Sequence, residues 1–129
     1  MKTRARNGNN RLQSIEQLVY TYFQYITQKN LDGLLDLFAN DAVVYEPFSK
    51  VVDGLRGKSM IGEFLKVVLM ANTGLERIIE FEKPKGPASN MVTALVTFSK
   101  GDSVRARFTF ESEGDDDKKI KSLTIKFVN

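Results

Sequence analysis

The stretch that decides the fold is residues 29–50, KNLDGLLDLFANDAVVYEPFSK. Its first half repeats apolar residues at the spacing of a short helix, 31–38, and turn residues at 40–41 then lead into a strand. Pro47 ends that strand, because proline fixes its own φ and has no backbone N–H to donate. The stretch therefore predicts a helix, a turn and a strand, with Glu46 at the strand exit.

Glu46 shares a strand face with apolar residues. Period-two alternation places four side chains on that face: Ala42, Val44, Glu46 and Phe48. If the face is interior, burial disfavours the charged carboxylate, and Glu46 becomes a candidate proton-transferring group. The alternative is a strand-end carboxylate that is satisfied by a backbone N–H, a lysine or solvent.

The composition fits one globular domain. The 129 residues are 42% hydrophobic and 27% charged, and a chain of this length buries enough surface for one core. The formal charge of +3 arises from basic residues that precede the first acidic one, at positions 2, 4, 6 and 11. We therefore expect a flexible basic tail at residues 1–11, a single domain at residues 12–129, and no nucleic-acid partner.

Two missing residue types narrow the chemistry. The sequence has no cysteine and no histidine, which excludes disulfides, thiolate catalysis and Ser-His-Asp triads. A transition-metal site is not expected, and the acidic run 111–117 lacks the ligand spacing of an EF-hand loop. Without a signal sequence or a long apolar run, we expect a cytoplasmic protein with no membrane partner and no cofactor.

Periodicity predicts helices first and strands later. Apolar residues at three- and four-residue spacing mark helices over 12–29, 31–38 and 57–71, with a short extended piece at 51–52 that Asp53 and Gly54 turn. After residue 75 the period is two, which predicts strands over 75–82, 91–99, 104–111 and 120–128. This order defines an α+β domain with the helices on one face of a mostly antiparallel sheet. We expect the sheet to curl into a cone with a cavity at its wide end.

Three segments together resemble a known family. Residues 31–47, the tyrosine-bearing helix before them and the DGLRGKSMIGEFL run after them look like the SnoaL-like, ketosteroid-isomerase-like branch of the nuclear transport factor 2-like superfamily. The resemblance spans residues 12–128. It implies a cystatin-like cone with three helices in the concavity of a strongly curved sheet, a ligand site inside, and a homodimer through the outer sheet face. Arg105, Arg107 and Tyr45 have the parity of that outer face.

The resemblance also implies roles for individual residues. The family's catalytic acid before proline corresponds to Glu46, and the hydrogen-bonding tyrosine of the first helix corresponds to Tyr22. In such isomerases a carboxylate moves a proton next to a carbonyl, while a tyrosine and a protonated acid stabilise the enolate oxygen. That second donor corresponds to Ala106, which has no hydrogen to donate. The expected pocket-lining residues are Val44, Phe48, Phe64, Ala106 and Phe108.

Two functions stay open from the sequence, because this fold hosts enzymes and binding modules alike. The first is cofactor-independent proton transfer, of the isomerase or polyketide-cyclase type, on a small apolar carbonyl compound, with Glu46 as base and Tyr22 as hydrogen-bond donor. The second is a non-catalytic ligand-binding or dimerisation module, which Ala106 favours. A third class, nucleic-acid or membrane binding by the basic tail, is poorly supported by four charges without interleaved aromatic residues.

Overall fold

Helices precede the meander of strands, as the periodicity predicts. A computed structural model describes residues 7–72, 76–82, 90–100, 102–113 and 116–128. The elements are α1 Asn7–Gln28, α2 Leu31–Asp36, β1 Phe38–Tyr45, β2 Leu55–Arg56, α3 Gly57–Ala71, β3 Glu76–Phe81, β4 Met91–Lys100, β5 Asp102–Glu113 and β6 Asp116–Val128. The α+β class, with three helices and a mostly antiparallel sheet, is confirmed.

The strands form one sheet in the order β2-β1-β6-β5-β4-β3. From β3 to β6 each strand is antiparallel to the next, whereas β1 pairs with β6 in parallel. In that pairing Tyr45 lies opposite Thr124. The exit of β1, where Glu46 follows, is therefore placed beside the last residues of β6.

The helices cover one face of the sheet. α1 packs across β4, β5 and β6, while α2 and α3 pack against β1. The alternation predicted for β5 is present, since Arg105 and Arg107 are exposed and the side chains between and after them are buried: Ala106, Phe108 and Phe110. The core lies between this inward face and the helices.

Several predicted boundaries are wrong by a few residues. α1 begins at Asn7 rather than at residue 12, so residues 7–11 are helical instead of a flexible tail, and residues 1–6 lie outside the described part. β6 begins at Asp116 rather than at residue 120. The predicted turn at 83–87 lies outside the described residues. Helix and strand ends are poorly specified because local propensity there is overridden by pairing and packing.

The predicted turn at residues 40–41 is instead part of β1. The pairing of β1 with β6 passes from Phe38 opposite Ile120 to Val43 opposite Ser122, so the residues between form a bulge. Asn40 and Asp41 are exposed there. Polar turn-forming residues are thus accommodated by bulging the strand outward, and α2 ends earlier than predicted, at Asp36.

A glycine turn connects β1 to α3. The Gly54 N–H donates to the Val51 carbonyl at 3.1 Å, which confirms the predicted turn, although residues 51–52 are not part of a strand. Gly54 has a φ of 84°, and a Cβ there would lie 2.6 Å from Val43 Cγ2. Only glycine fits this close approach. The turn brings Leu55 and Arg56 back along β1, and α3 starts directly after them.

Candidate functional site

An apolar cavity lies between α1, α3 and the inward face of the sheet. We call it the inner lobe; its volume is about 420 Å³, which is within the usual range for small-molecule sites. Apart from Tyr22 and Asn72, the described residues that line it are apolar. A ligand that fits this space must therefore be largely apolar.

A second and larger space, the outer lobe, adjoins the inner one along α3. Its volume is about 740 Å³. The two lobes share a boundary formed by Phe48, Phe64, Val68, Ala71 and Asn72. Beyond the boundary the outer lobe also has polar lining from Glu46, Ser49, Ser59 and Glu63. Polarity thus increases from the inside of the molecule toward the outer lobe.

Tyr22 of α1 places a hydroxyl at the wall of the inner lobe. The side chain is 1% exposed, and its ring meets Phe110 edge-on, with centroids 5.4 Å apart. The Tyr22 hydroxyl has no hydrogen-bond partner among the described residues. Every described side-chain oxygen that is fully buried does have a partner, so the Tyr22 oxygen is not fully buried. The hydroxyl therefore borders the open space of the lobe.

The electrostatics keep this hydroxyl protonated. Burial raises the pKa of Tyr22 well above its usual value, and the positive charge of Arg77 opposes that shift only in part. At neutral pH Tyr22 is consequently a neutral donor. A carbonyl or hydroxyl oxygen is the partner that such a donor can bind.

Arg77 of β3 is a polar residue near the site that the sequence reasoning missed. Its guanidinium donates to Thr27 Oγ1, to the Phe23 carbonyl at 3.4 Å and to Asn72 Oδ1 at 3.3 Å, and it lies 5.8 Å from the centre of the Phe23 ring. These contacts connect β3 to α1 and to the end of α3. They also fix Asn72, whose Nδ2 donates to the Val68 carbonyl at 2.8 Å.

The alternation of side chains along β3 indicates that Arg77 lies on the inward face of the sheet. Ile79 and Phe81 pack against the core, and Arg77 has the same parity as both. An arginine on an inward face is partly removed from water, and its charge then needs hydrogen-bond acceptors from the protein. α1, which supplies two of those acceptors, is far from β3 in sequence. The pattern within β3 alone therefore did not identify the partners of Arg77.

Glu46 lines the outer lobe and is used by the turn that follows it. Its carboxylate accepts the backbone N–H of Phe48, the backbone N–H of Ser49 at 3.1 Å, and the Ser49 hydroxyl. This is the strand-end carboxylate satisfied by backbone N–H groups, one of the two alternatives raised from the sequence. Tyr22 and Glu46 therefore lie on adjoining lobes, and Glu46 is not among the described residues that line the inner one.

The remaining expected lining residues are distributed unevenly. Phe48, Phe64, Ala106 and Phe108 line the inner lobe. Val44 is fully buried and is not found in the described lining of either lobe, because its side of β1 packs into the core. The methyl group of Ala106 leaves Tyr22 as the one hydroxyl donor among the described residues of the inner wall.

The described residues contain no group of three or more His, Cys, Asp or Glu side chains arranged to hold a metal ion. None of the described helices is long and apolar enough to cross a membrane.

Comparisons with known proteins place the fold. No protein-family model matches the sequence, and no curated protein matches it. Among solved structures, SalBIII, an epoxide hydrolase/cyclase-like enzyme in pyran ring formation in the polyether salinomycin, is 15% identical over 90% of this chain and 92% of its own, with a TM-score of 0.72. A Mycobacterium tuberculosis protein in complex with estradiol-17beta-hemisuccinate is 19% identical over 89% and 94% of the two chains, with a TM-score of 0.70.

A third similar structure is a SnoaL-like protein of unknown function from Burkholderia thailandensis. It is 17% identical over 100% of both chains, with a TM-score of 0.68. The resemblance to SnoaL-like proteins inferred from the sequence is confirmed at the level of the fold. At such identities the likeness fixes the fold, whereas the chemistry has to be argued from the site itself.

Proposed function

We propose that the protein binds a small, largely apolar molecule in the inner lobe and hydrogen-bonds its carbonyl or hydroxyl oxygen with Tyr22. The observation that carries this proposal is a protonated hydroxyl at the wall of a space of about 420 Å³ whose described lining is apolar apart from Tyr22 and Asn72. A hydrogen bond from this hydroxyl to a ligand oxygen contributes about 0.5–1.5 kcal/mol net. The site therefore favours apolar molecules that have one oxygen acceptor.

The similar structures support a ligand of this kind. One was solved in complex with a steroid conjugate, and another is a cyclase-like enzyme of polyether formation. Both concern molecules with large apolar frameworks and oxygen substituents. The shared fold supports the proposal of an internal binding site for such a framework.

A matched pair of compounds tests the proposal. 2-Acetylnaphthalene and 2-ethylnaphthalene have similar shapes, but only the former has a carbonyl oxygen. We expect the wild-type protein to bind the ketone about 5- to 10-fold more tightly, the equivalent of one hydrogen bond, as measured by titration calorimetry. In Tyr22→Phe the two affinities should become equal.

The control for this experiment is Tyr20→Phe. Tyr20 lies on the same helix, but its side chain is about half exposed and contacts Phe81. The control should keep the preference for the ketone. The proposal fails if the wild type shows no preference, or if Tyr22→Phe keeps it.

A second candidate function is proton transfer next to the carbonyl of the bound molecule. It is favoured by the position of Glu46 on the lobe that adjoins the Tyr22 lobe across a shared boundary. The carboxylate would take a proton from the carbon beside the carbonyl, the C–H electron pair would form the enolate, and Tyr22 would hydrogen-bond the enolate oxygen. If a double bond is conjugated with the enolate, return of the proton from Glu46 to the far end of that system completes an isomerisation. Attack of the enolate carbon on a second carbonyl, with the proton passed from Glu46 to the new alkoxide oxygen, completes a cyclisation. This chemistry needs no cofactor.

Hydrogen exchange measures this step directly. The methyl protons of 2-acetylnaphthalene exchange with D₂O through the enolate, and NMR follows their loss. An enzyme of this class accelerates the exchange, Glu46→Gln abolishes the acceleration, and Tyr22→Phe lowers it by a factor on the order of 10² to 10³. Binding of the ketone without accelerated exchange would leave the binding function standing and exclude proton transfer on this compound.

We also propose that the protein forms a homodimer through the sheet face opposite the helices. Across that face, Thr93 and Thr109 lie opposite each other with their hydroxyl oxygens 3.1 Å apart, and Arg107 forms an ion pair with Glu82 at 2.9 Å. These side chains are outside the helix-covered core. Sedimentation equilibrium should give the dimer mass for the wild type, and Thr109→Glu should weaken the dimer at least tenfold. A wild-type monomer at micromolar concentration would refute the proposal.

A further inference from the structure

Phe48 lies at the boundary between the two lobes and is not part of the buried core. It lines both lobes, yet its side chain is 65% exposed. The other shared lining residues, 64, 68, 71 and 72, belong to α3 or to the residue that ends it. Phe48 approaches from the opposite side, in the loop after β1, and its ring meets Phe127 of β6 edge-on with centroids 5.5 Å apart.

The loop that carries Phe48 is built around the Glu46 carboxylate. This carboxylate accepts hydrogen bonds from two successive backbone N–H groups, those of Phe48 and Ser49, and from the Ser49 hydroxyl. Pro47 restricts φ between them. Lys50 closes the loop with a φ of 61°, which is unusual for a residue with a side chain. A carboxylate that accepts several N–H groups holds a turn in one conformation.

We infer that Phe48 limits the length of the ligand in the inner lobe, and that Glu46 is a positioning residue that holds Phe48 in place. This inference rests on the proposed binding of an apolar molecule in that lobe. With Phe48 in place, a ligand fills the inner lobe and stops at the boundary. Without it, the tail of the ligand continues into the outer lobe along α3, past the exposed apolar side chains of Met60 and Val67.

A homologous series of ligands tests the limit. Alkyl phenyl ketones from acetophenone to dodecanophenone keep one carbonyl for Tyr22 and lengthen the tail by one methylene at a time. Each buried methylene lowers Kd about fourfold. For the wild-type protein we expect this gain to stop at the chain length that fills the inner lobe, and further methylenes to leave Kd nearly unchanged or to raise it.

We call the tail length at which Kd stops falling the break, and Phe48→Ala should shift the break to longer tails. Short ketones should bind a few-fold more weakly because one lining side chain is lost, while the fourfold gain per methylene should continue to longer tails. The two affinity profiles should therefore cross. The control is Val104→Ala, which truncates a lining residue of the inner lobe that is not shared with the outer lobe. It should weaken binding of all members without moving the break.

Two substitutions of Glu46 separate positioning from proton transfer. Glu46→Ala removes the acceptors of the turn and should shift the break toward the Phe48→Ala profile. Glu46→Gln keeps an amide oxygen as an acceptor and should restore most of the wild-type profile, although it removes any base. Abolished exchange together with a retained break in Glu46→Gln would show that the two roles are separate.

The outcomes discriminate between this inference and the proposed function. Binding of the series with a break that stays at the same length in Phe48→Ala overturns the role of Phe48. A wild-type profile in Glu46→Ala overturns the positioning role of Glu46. Failure of every ketone to bind overturns the proposed function and, with it, the inference.

Discussion

Replacing Tyr22 by phenylalanine removes a single oxygen from the wall of the inner lobe, and its effect on stability depends on pH. At pH 7 we expect the free energy of unfolding to change by less than about 0.5 kcal/mol. A hydroxyl with a protein partner would contribute about 0.5–1.5 kcal/mol, but no partner of this hydroxyl is found in the described residues. The ring contacts with Phe23 and Phe110 are kept in the variant.

The pH dependence follows from the raised pKa of Tyr22 in the folded state. In the unfolded chain a tyrosine loses its proton near pH 10, whereas burial keeps Tyr22 protonated to higher pH in the native protein. Above pH 10 the unfolded state therefore binds fewer protons, and the wild type loses stability as the pH rises. The stabilising difference is fully present below pH 10. By pH 11 the loss due to Tyr22 amounts to about 1.4 kcal/mol.

Urea unfolding of the wild type and of Tyr22→Phe at pH 7, 9, 10, 10.5 and 11 measures this difference. Lysines and the other tyrosines titrate in both proteins, so their contributions cancel in the comparison. The two stabilities should agree up to pH 9 and then diverge, with the wild type falling faster. Parallel curves up to pH 11 would show that Tyr22 titrates normally in the native protein, and the account of a buried, protonated hydroxyl would be refuted.

Three further substitutions test the framework around the site. Gly54→Ala should lower the free energy of unfolding by about 1–3 kcal/mol, because φ is positive there and the added Cβ would lie 2.6 Å from Val43. Gly57→Ala should lower it less, because Gly57 has a φ of 80° but no atom within 4 Å of the added Cβ. Equal losses in the two variants would contradict the steric argument. Asn30→Ala removes the side-chain acceptor of the Gly33 N–H at 2.9 Å and should cost about 1 kcal/mol in a thermal melt, so an unchanged melting temperature counts against this cap. Arg77→Met removes the charged donor of three hydrogen bonds and should cost about 1–3 kcal/mol. Arg77→Lys keeps the charge without the forked geometry and should cost less, so equal losses in the two variants would contradict a role of the charge.

The elements with strong periodicity were predicted well from the sequence. The inward faces of β4 and β5 and the apolar stripe of α1 follow from hydrophobic spacing, which has a direct physical cause in burial. The structure of residues 29–50 was predicted less well, because Asn40 and Asp41 are good turn residues and no local pattern indicates that a parallel partner strand is available. In the structure β1 pairs with β6, and Asn40 and Asp41 lie in a bulge of β1. The same tertiary pairing places Glu46 beside β6.

The candidate site was predicted in part for a similar reason. Helical spacing placed Tyr22 toward the interior, strand alternation did the same for Phe108, and both side chains border the inner lobe. The same reasoning put Glu46 on the interior face, but strand parity no longer applies to Glu46 because β1 ends at Tyr45. The hydrogen bonds of the following turn then decide where the carboxylate points. Arg77 was missed because its acceptors on α1, the Phe23 carbonyl and Thr27 Oγ1, lie 54 and 50 residues away in sequence.

The sequence by itself determined the class of fold, the order of helices and strands, and the chemistry that is excluded by the missing cysteine and histidine. Those properties depend on local spacing and composition. Only the tertiary structure decided that the apolar interior leaves a space of about 420 Å³ beside Tyr22, and that Phe48 lies at the boundary of that space, in contact with Phe127. Cavities and contacts of this kind depend on how distant elements pack, and no periodicity within one segment specifies that.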